Sequence, residues 1–323
     1  QAIRELAERT GVVLPKRGDA PIVDKDEKER LRSCVEAAQK FFRKNLASSE
    51  LATQYLEKRG VPVALMETFG MGYAPDSFSD TYQYLLKEGF SRKEIIAAGL
   101  GIQKELSEER IYDRFRNRLM FPISDIQGRI VAFGGRTLGE DDAKYINSSE
   151  GPIYRKSNIL FGLHMAREAI RESKRVVMVE GYFDVVACHK VGITNVVAVS
   201  GTALTDEQIK LLQRYSSNLS IAFDADSAGI AAAKRGIDLA LSAGMNIKVV
   251  QIPEGKGKDA DECLKNNPEV WFQSVTEAKD VMVWYLERAF VGKNISEPKV
   301  KQTIANEILT EIGRIPYAVE RDH

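Results

Sequence analysis

The chain has 323 residues, enough to bury a large core and to divide into two or three domains. Its 46 Lys and Arg balance 46 Asp and Glu, which excludes a polycation, so any nucleic-acid contact must come from a local basic surface. Three widely separated cysteines, Cys34, Cys188 and Cys263, argue for a reducing, cytoplasmic compartment and against a zinc module, and no apolar run reaches the roughly 18 residues of a membrane span.

Through about Asp24 the sequence mixes a short helix with a polar linker carrying Pro and Gly. It has neither a signal-peptide pattern nor an initiating Met and is expected to be a piece cut from a longer protein. From Glu27 to Lys58 the spacing predicts helix, with Leu31, Val35, Ala38, Phe41 and Phe42 on one core-facing side. Short helices are predicted over Val63–Phe69, Asp80–Lys87 and Arg92–Ala98. The period then changes, and Arg118 to Arg136 reads as two strands around a turn at Asp125–Gly128. Residues 1–165 are therefore expected to form a mixed unit of helices and a small antiparallel sheet.

Residues 174–256 alternate regularly between short β-branched runs and helical stretches. Strands are predicted at Val176–Glu180, Val196–Ser200, Leu219–Asp224 and Ile247–Ile252. Between them lie helices Phe183–Val191, Asp206–Tyr215 and Ala228–Ser242. Thr205 to Gln208 matches a capping box, and Gly192 and Gly244 suit helix C-termini. Such alternation predicts a parallel α/β fold over about 166–262, helices on both faces. Helices Glu269–Ala289 and Glu297–Ile312 then predict a small bundle over 263–323, with Trp271 and Trp284 in its core. The fold class is α/β, or α+β when the mixed first unit is included.

Chemistry concentrates at two places. Glu180 follows the run Val176–Val179, and Asp224 and Asp226 follow Leu219–Phe223, so all three carboxylates stand where a predicted strand stops. In open α/β sheets ligands bind at the carboxyl ends of strands. Acids gathered there repel one another unless a cation lies between them, and Mg²⁺ is the usual guest beside phosphate. Singly, each is an ordinary turn residue. Together, with Gly181 directly after the Glu and Gly229 three residues past the second Asp, they predict a metal and phosphate site. The second place is a basic ridge. Arg114, Arg116 and Arg118 alternate, which on an extended segment points all three to one side, and five arginines but one acid occur between 114 and 136. Arg136 and Lys144 follow, with Tyr145 and Asn147 beside the lysine and Lys156 further on. Guanidinium forks suit phosphates, and nearby aromatic rings can stack on bases.

The runs EGYFD, FDADSAGI and KGKDADE resemble the Toprim module of primases, topoisomerases and some nucleases. With FGMGYAP, YDRFRNRLMFPI, VAFGGR, AKYINSSE and ILFGLHMA upstream, the whole chain is similar to the catalytic core of bacterial DnaG-type primases. The resemblance implies a Toprim catalytic domain between an N-terminal mixed subdomain and a C-terminal helical one. It implies Glu180 as the catalytic carboxylate, Asp224 and Asp226 as catalytic metal holders, Asp259 and Asp261 as a further acidic metal pair, and Asp184 as an accessory acid. Arg59, Arg114, Arg116, Arg136, Lys144, Tyr145, Asn147 and Lys156 would meet nucleotide and template. The implied reaction is primer synthesis from ribonucleoside triphosphates on single-stranded DNA, leaving an RNA–DNA hybrid, with Mg²⁺ and Mn²⁺ as its substitute. The family's zinc-binding and helicase-binding domains match nothing here, so no zinc is expected in this piece. The replicative helicase would be reached through a C-terminal domain outside the sequence, and ppGpp-type alarmones would be inhibitors at the nucleotide surface.

Other readings remain open on the residues alone. A topoisomerase or nuclease shares the acidic motifs, an aspartyl phosphatase shares a DxD after a strand, and a nucleotide-sensing module would use the basic ridge without metal. GKGKD lacks the arrangement of a P-loop. His164 and His189 follow no metal spacing, and Cys188 and Cys263 have no matched His, so all four read as packed structural residues.

Overall fold

A computed structural model of the chain describes residues 25–103, 110–201, 203–222 and 227–313, with side chains from 234 in the last segment. The first unit opens with helices α1 (Lys25–Ser48), α2 (Glu50–Lys58) and α3 (Val63–Thr68). Strand β1 (Gly72–Ala74), α4 (Asp80–Lys87), α5 (Arg92–Ala97) and β2 (Gly101–Gln103) follow, then β3 (Ile111–Asp113), β4 (Arg118–Ser124), β5 (Ile130–Thr137) and β6 (Tyr145–Asn147). The helix expected from Glu27 to Lys58 is thus two helices. Ser49 leaves the helical conformation and its hydroxyl accepts from Ala52 N, so a local side-chain cap starts α2 where a continuous periodicity had suggested one rod.

Strands β1, β4, β5 and β6 form one antiparallel sheet in that order, and β2 pairs with β3 separately. The long helix α1 lies across this sheet. It buries Leu31, Val35, Ala38 and Phe42 against Met120 and Phe133, with the Phe42 and Phe133 rings edge to face at 5.2 Å. Phe41 is only half-buried and stacks on Tyr84 at 4.7 Å, at the margin of the core rather than within it.

The central unit begins with α6 (Leu163–Ser173) and continues as β7 (Val176–Val179), α7 (Tyr182–Lys190), β8 (Val196–Ala198), α8 (Asp206–Leu212), β9 (Asn218–Ile221), α9 (Ser227–Ser242) and β10 (Asn246–Val249). Four strands pair in parallel in the order β10-β9-β7-β8; β7 and β8 are buried on both faces, as strands covered by helices require, whereas β10 buries Ile247 and Val249 on one face and exposes Asn246 and Lys248 on the other. The chain runs from β7 outward to β8 and then returns past β7 to β9. The reversal opens a crevice at the carboxyl end of β7. The expected capping box at Thr205 and Gln208 is present, and Gly192 and Gly244 adopt φ of 85° and 76° after their helices.

The last elements are α10 (Ala260–Asn266), α11 (Pro268–Thr276), β11 (Lys279–Asp280), α12 (Val281–Phe290) and α13 (Pro298–Ile312). The single helix expected over Glu269–Ala289 is interrupted at Lys279–Asp280, which pairs antiparallel with β10 and becomes the sheet's edge. Asp280 then caps α12 through Met282 N at 2.8 Å. Trp271 and Trp284 are buried as expected, but Trp284 joins the core of the central sheet rather than a separate bundle. Among the described residues no helix is long and apolar enough to cross a membrane.

A candidate metal and nucleotide site at the carboxyl end of β7

Glu180 directly follows β7, and its carbonyl accepts from Ser200 N at 3.0 Å, which extends the β7–β8 pairing to the lip of the crevice. Gly181 turns the chain into α7. Asp184 sits three residues later with its side chain folded back: Oδ2 accepts from Gly181 N at 2.9 Å, and Oδ1 accepts from Asp261 N at 3.0 Å. One buried carboxylate, 7 % exposed, therefore ties the turn after β7 to the first turn of α10. The expected accessory acid acts here as a fixed acceptor for two amides. An Asp at the third position of a helix that opens after Gly is the sequence signal for the first of these bonds.

A cavity of about 550 Å³ opens above this junction. Glu180, Asp184, Asp259 and Asp261 line it, as do Arg59, Arg136, Lys144, Tyr145, Asn147 and Lys156. Acidic and basic motifs up to two hundred residues apart (Arg59 and Asp261 are separated by 202) thus face one space. Asp224 and Asp226 lie outside the described residues. Arg114 and Arg116 do not line the cavity. Arg114 Nε donates to Asn147 O at 2.7 Å, and Arg116 lies over the exposed Phe78 ring at 4.6 Å while donating to Asp113 O at 2.9 Å.

The expected alternation of Arg114, Arg116 and Arg118 fails for a backbone reason. β4 begins only at Arg118, and Asn117 has a left-handed φ of 48°, so the segment is not extended. Arg118 is buried instead, 4 % exposed, and donates to Gly135 O, Ala143 O and Asp141 Oδ2 at 3.1, 3.0 and 2.8 Å. It clamps the loop that carries Lys144.

The basic half of the cavity is held by aromatic rings. Arg59 Nε donates to Tyr55 Oη at 2.8 Å, its guanidinium lies over Phe183 at 4.1 Å, and Nη1 contacts Asp261 Oδ2. Burial works against the Arg59 charge, yet Asp261, with Tyr55 and Tyr145, outweighs it and holds the pKa above the ordinary value. Arg136 Nη1 donates to Tyr145 Oη at 3.2 Å and lies 5.5 Å from the Tyr55 ring, so Tyr55 contacts both arginines. Burial pushes Tyr145 up to about 12, against the pull of Arg136, so it remains a neutral phenol at physiological pH.

Lys144 has a lowered pKa from burial first, then from Arg136, Lys258 and Arg59. Lys156 is lowered by burial, and its Nζ donates to Gly201 O at 3.2 Å. Like charges gathered this closely destabilise one another and favour an anion between them. Asn147 links the two units: Oδ1 accepts from Tyr182 Oη at 2.6 Å and Nδ2 donates to Ser200 O at 3.2 Å. Tyr55, Lys258 and Lys265 also belong to the lining or its support. The two lysines stand within and just after KGKDADE, where the acids draw the eye.

The donor set suits a hard cation in part. A small cavity of about 10 Å³, the size of one bound water or ion, is lined by Glu180, Asp184 and Asp259 together with Ala222 at the end of β9. Among the described residues no three His, Cys, Asp or Glu side chains converge as a complete ligand set.

Residues 41–167 match the model of the DNA primase catalytic core, N-terminal domain, and residues 177–264 match a Toprim-like model. Among solved structures, the DnaG primase catalytic domain bound to single-stranded DNA aligns with a TM-score of 0.79 at 32 % identity, covering 92 % of this chain and 94 % of that one. The chain belongs to the DnaG primase catalytic-core family. A DNA primase domain from Pseudomonas aeruginosa gives a TM-score of 0.80 at 33 % identity over 90 % of this chain and 92 % of its own. The DNA primase of Halalkalibacterium halodurans is 39 % identical over 327 aligned positions, which take in 100 % of this chain and 54 % of that protein. The chain therefore spans about half the length of the curated DNA primases it matches.

Proposed function

We propose that the chain is the nucleotidyl-transfer core of a DNA primase, making short RNA primers from ribonucleoside triphosphates on single-stranded DNA. The observation that carries this reading is the meeting of Glu180, Asp259 and Asp261 with Arg59, Arg136 and Lys144 in one cavity. Arg59, Arg136 and Lys144 bind the triphosphate, whose charge relieves the repulsion among them. Tyr55 and Tyr145 keep the two guanidinium groups oriented, and Asn147 with Tyr182 fixes the wall between the units. Glu180, Asp224, Asp226, Asp259 and Asp261 are the residues that would hold Mg²⁺, or Mn²⁺ in its stead. Such cations, when bound, lower the pKa of an attacking hydroxyl and neutralise a departing pyrophosphate. Glu180 serves at the strand end, beside the reacting phosphate. The RNA–DNA hybrid leaves by the open side of the cavity.

Related structures bound to single-stranded and duplex DNA support DNA as the template partner. A replicative helicase acting through a domain outside this sequence, alarmone inhibition at the basic wall, and a cytoplasmic setting belong to the same reading. So does the division into units 1–165, 166–262 and 263–323, and so do template contacts from Arg114 and Arg116.

The test is de novo RNA synthesis on single-stranded DNA with four ribonucleotides and Mg²⁺ or Mn²⁺. The parent chain is expected to make short oligoribonucleotides, and Glu180→Gln and Asp224→Asn to lose about a hundredfold or more in rate. Full activity in both variants would overturn the assignment of the acids. Relaxation of a plasmid through a covalent protein–DNA adduct, with no RNA made, would replace the primase reading with a topoisomerase.

A further inference from the structure

The carboxylates around the cavity are not equally available to a cation. Asp184 is committed to two backbone amides, and Asp259 Oδ1 accepts from Glu262 N at 2.8 Å to cap α10. Asp261 carries Arg59. This pair is sheltered, with side chains 25 % and 23 % exposed, and Arg59 is fixed on its other sides by Tyr55 Oη and the Phe183 ring. A guanidinium held by three kinds of contact is a preorganised counter-charge, unlike a mobile surface pair. Both members nevertheless line the reaction cavity, beside Arg136 and Lys144. A divalent cation needs the carboxylate oxygens, and a triphosphate needs the guanidinium. Neither is fully served while the two are bound to each other.

We propose that Arg59 is a positioning residue that stands in for a cation on Asp261, so that cation entry and nucleotide binding each release the partner the other requires. The inference rests on the nucleotidyl-transfer reading above and adds a coupling to it. Such coupling is reciprocal: whatever draws Arg59 onto phosphate raises the affinity of Asp261 for cation by the same factor. Removing the guanidinium therefore has opposite effects on the two ligands. A substitution that merely loosened the fold would weaken both.

The experiment titrates Mn²⁺ alone, followed by the loss of free-ion signal in electron paramagnetic resonance, and separately titrates fluorescently labelled ATP in metal-free buffer. Arg59→Met is expected to bind Mn²⁺ about fivefold tighter, because the Asp261 carboxylate is freed from its counter-charge to ligate the cation. It should bind ATP about tenfold more weakly, having lost a charge-assisted contact. Arg59→Lys keeps the charge and should restore Mn²⁺ affinity to within about twofold of the parent. In an Asp261→Asn background the gain from Arg59→Met should shrink below about twofold, since the released group is absent. Unchanged or weaker Mn²⁺ binding in an Arg59→Met protein that melts cooperatively would overturn the proposal, as would a full gain that persists with Asp261→Asn. Neither readout needs RNA synthesis. A parent that makes primers while these titrations fail sinks the coupling alone, and a parent that makes none sinks the reading beneath it.

Discussion

Glu180, Arg136 and Lys144, marked in the sequence by a strand end and a basic run, line one cavity with Asp259 and Asp261, which the family resemblance implied. Asp184 and Arg118 were harder to read. Both have residue types that suggest a ligand contact, yet Asp184 accepts from two backbone amides, and Arg118 donates to two backbone carbonyls and to the Asp141 carboxylate, partners that only the folded chain brings within reach. His189 shows the same effect in its titration. Burial, and then His164, depress its pKa from 6.5 to about 4, and its ring packs edge-on against Phe69 at 5.0 Å. The unfolded chain takes up a proton near the ordinary value while the folded chain resists until about 4. This residue's contribution to stability is therefore complete above pH 6.5 and is lost as the pH falls towards 4. His189→Leu should narrow the difference between urea midpoints measured at pH 7 and pH 4.5. An unchanged difference would show that the imidazole stays neutral in neither state or in both.

Periodicity located the elements well where one pattern ran uninterrupted, as in β4–β5 and in the parallel strands. It failed where a polar side chain ended a helix inside an otherwise continuous apolar stripe. Ser49 divides α1 from α2 in this way, and Lys279–Asp280 separates α11 from α12 by pairing with β10. These breaks depend on a cap and on a sheet edge, neither of which an apolar pattern records. The pair Gly134-Gly135 in β5 illustrates the converse, a sequence feature whose reason lies in another element. A Cβ at Gly134 would overlap the Tyr182 ring, which lies flat against Phe121 at a centroid distance of 5.0 Å. Gly134→Ala should destabilise the protein by about 1–3 kcal/mol through overpacking, read as a lower urea midpoint. Gly89, whose added Cβ would meet nothing within 4 Å, has a left-handed φ of 85° and serves as the comparison for backbone strain alone.

At the scale of the molecule the first and central units share one core. Leu56, Phe69 and Phe121 from the first pack with Val177, Tyr182 and Val185 from the second, and Phe161 meets both Phe69 and Tyr182. The family resemblance separates these units by motif, but packing joins them, because the cavity wall is made from both. Thermal unfolding followed by tryptophan fluorescence and by far-ultraviolet circular dichroism should therefore give coincident transitions for the two. Two resolved steps would contradict a shared core. The net charge is zero overall, and the local basic surface is the set of Arg and Lys side chains that line the cavity beside its acids. Affinity for single-stranded DNA should fall steeply between about 50 and 200 mM salt, since it depends on displaced counterions. A flat salt response would point to stacking instead, for which the exposed Phe78 beside Arg116 is one available ring.

The double acceptance by Asp184 also bears on how this chain tolerates changes in length. Asp184, holding Gly181 and Asp261, and the apolar packing of Ala260, Cys263 and Leu264 against α7 tie the end of β7 to the acids of α10 independently of the run of chain from β10 to Asp259. That run includes the exposed residues Glu254, Gly255 and Lys256. Extra residues spliced in at Gly255 would lengthen the route without moving its destination, so this turn is a natural place to carry a tag or a reporter, and a place where related chains can differ in length while their acids keep the same spacing.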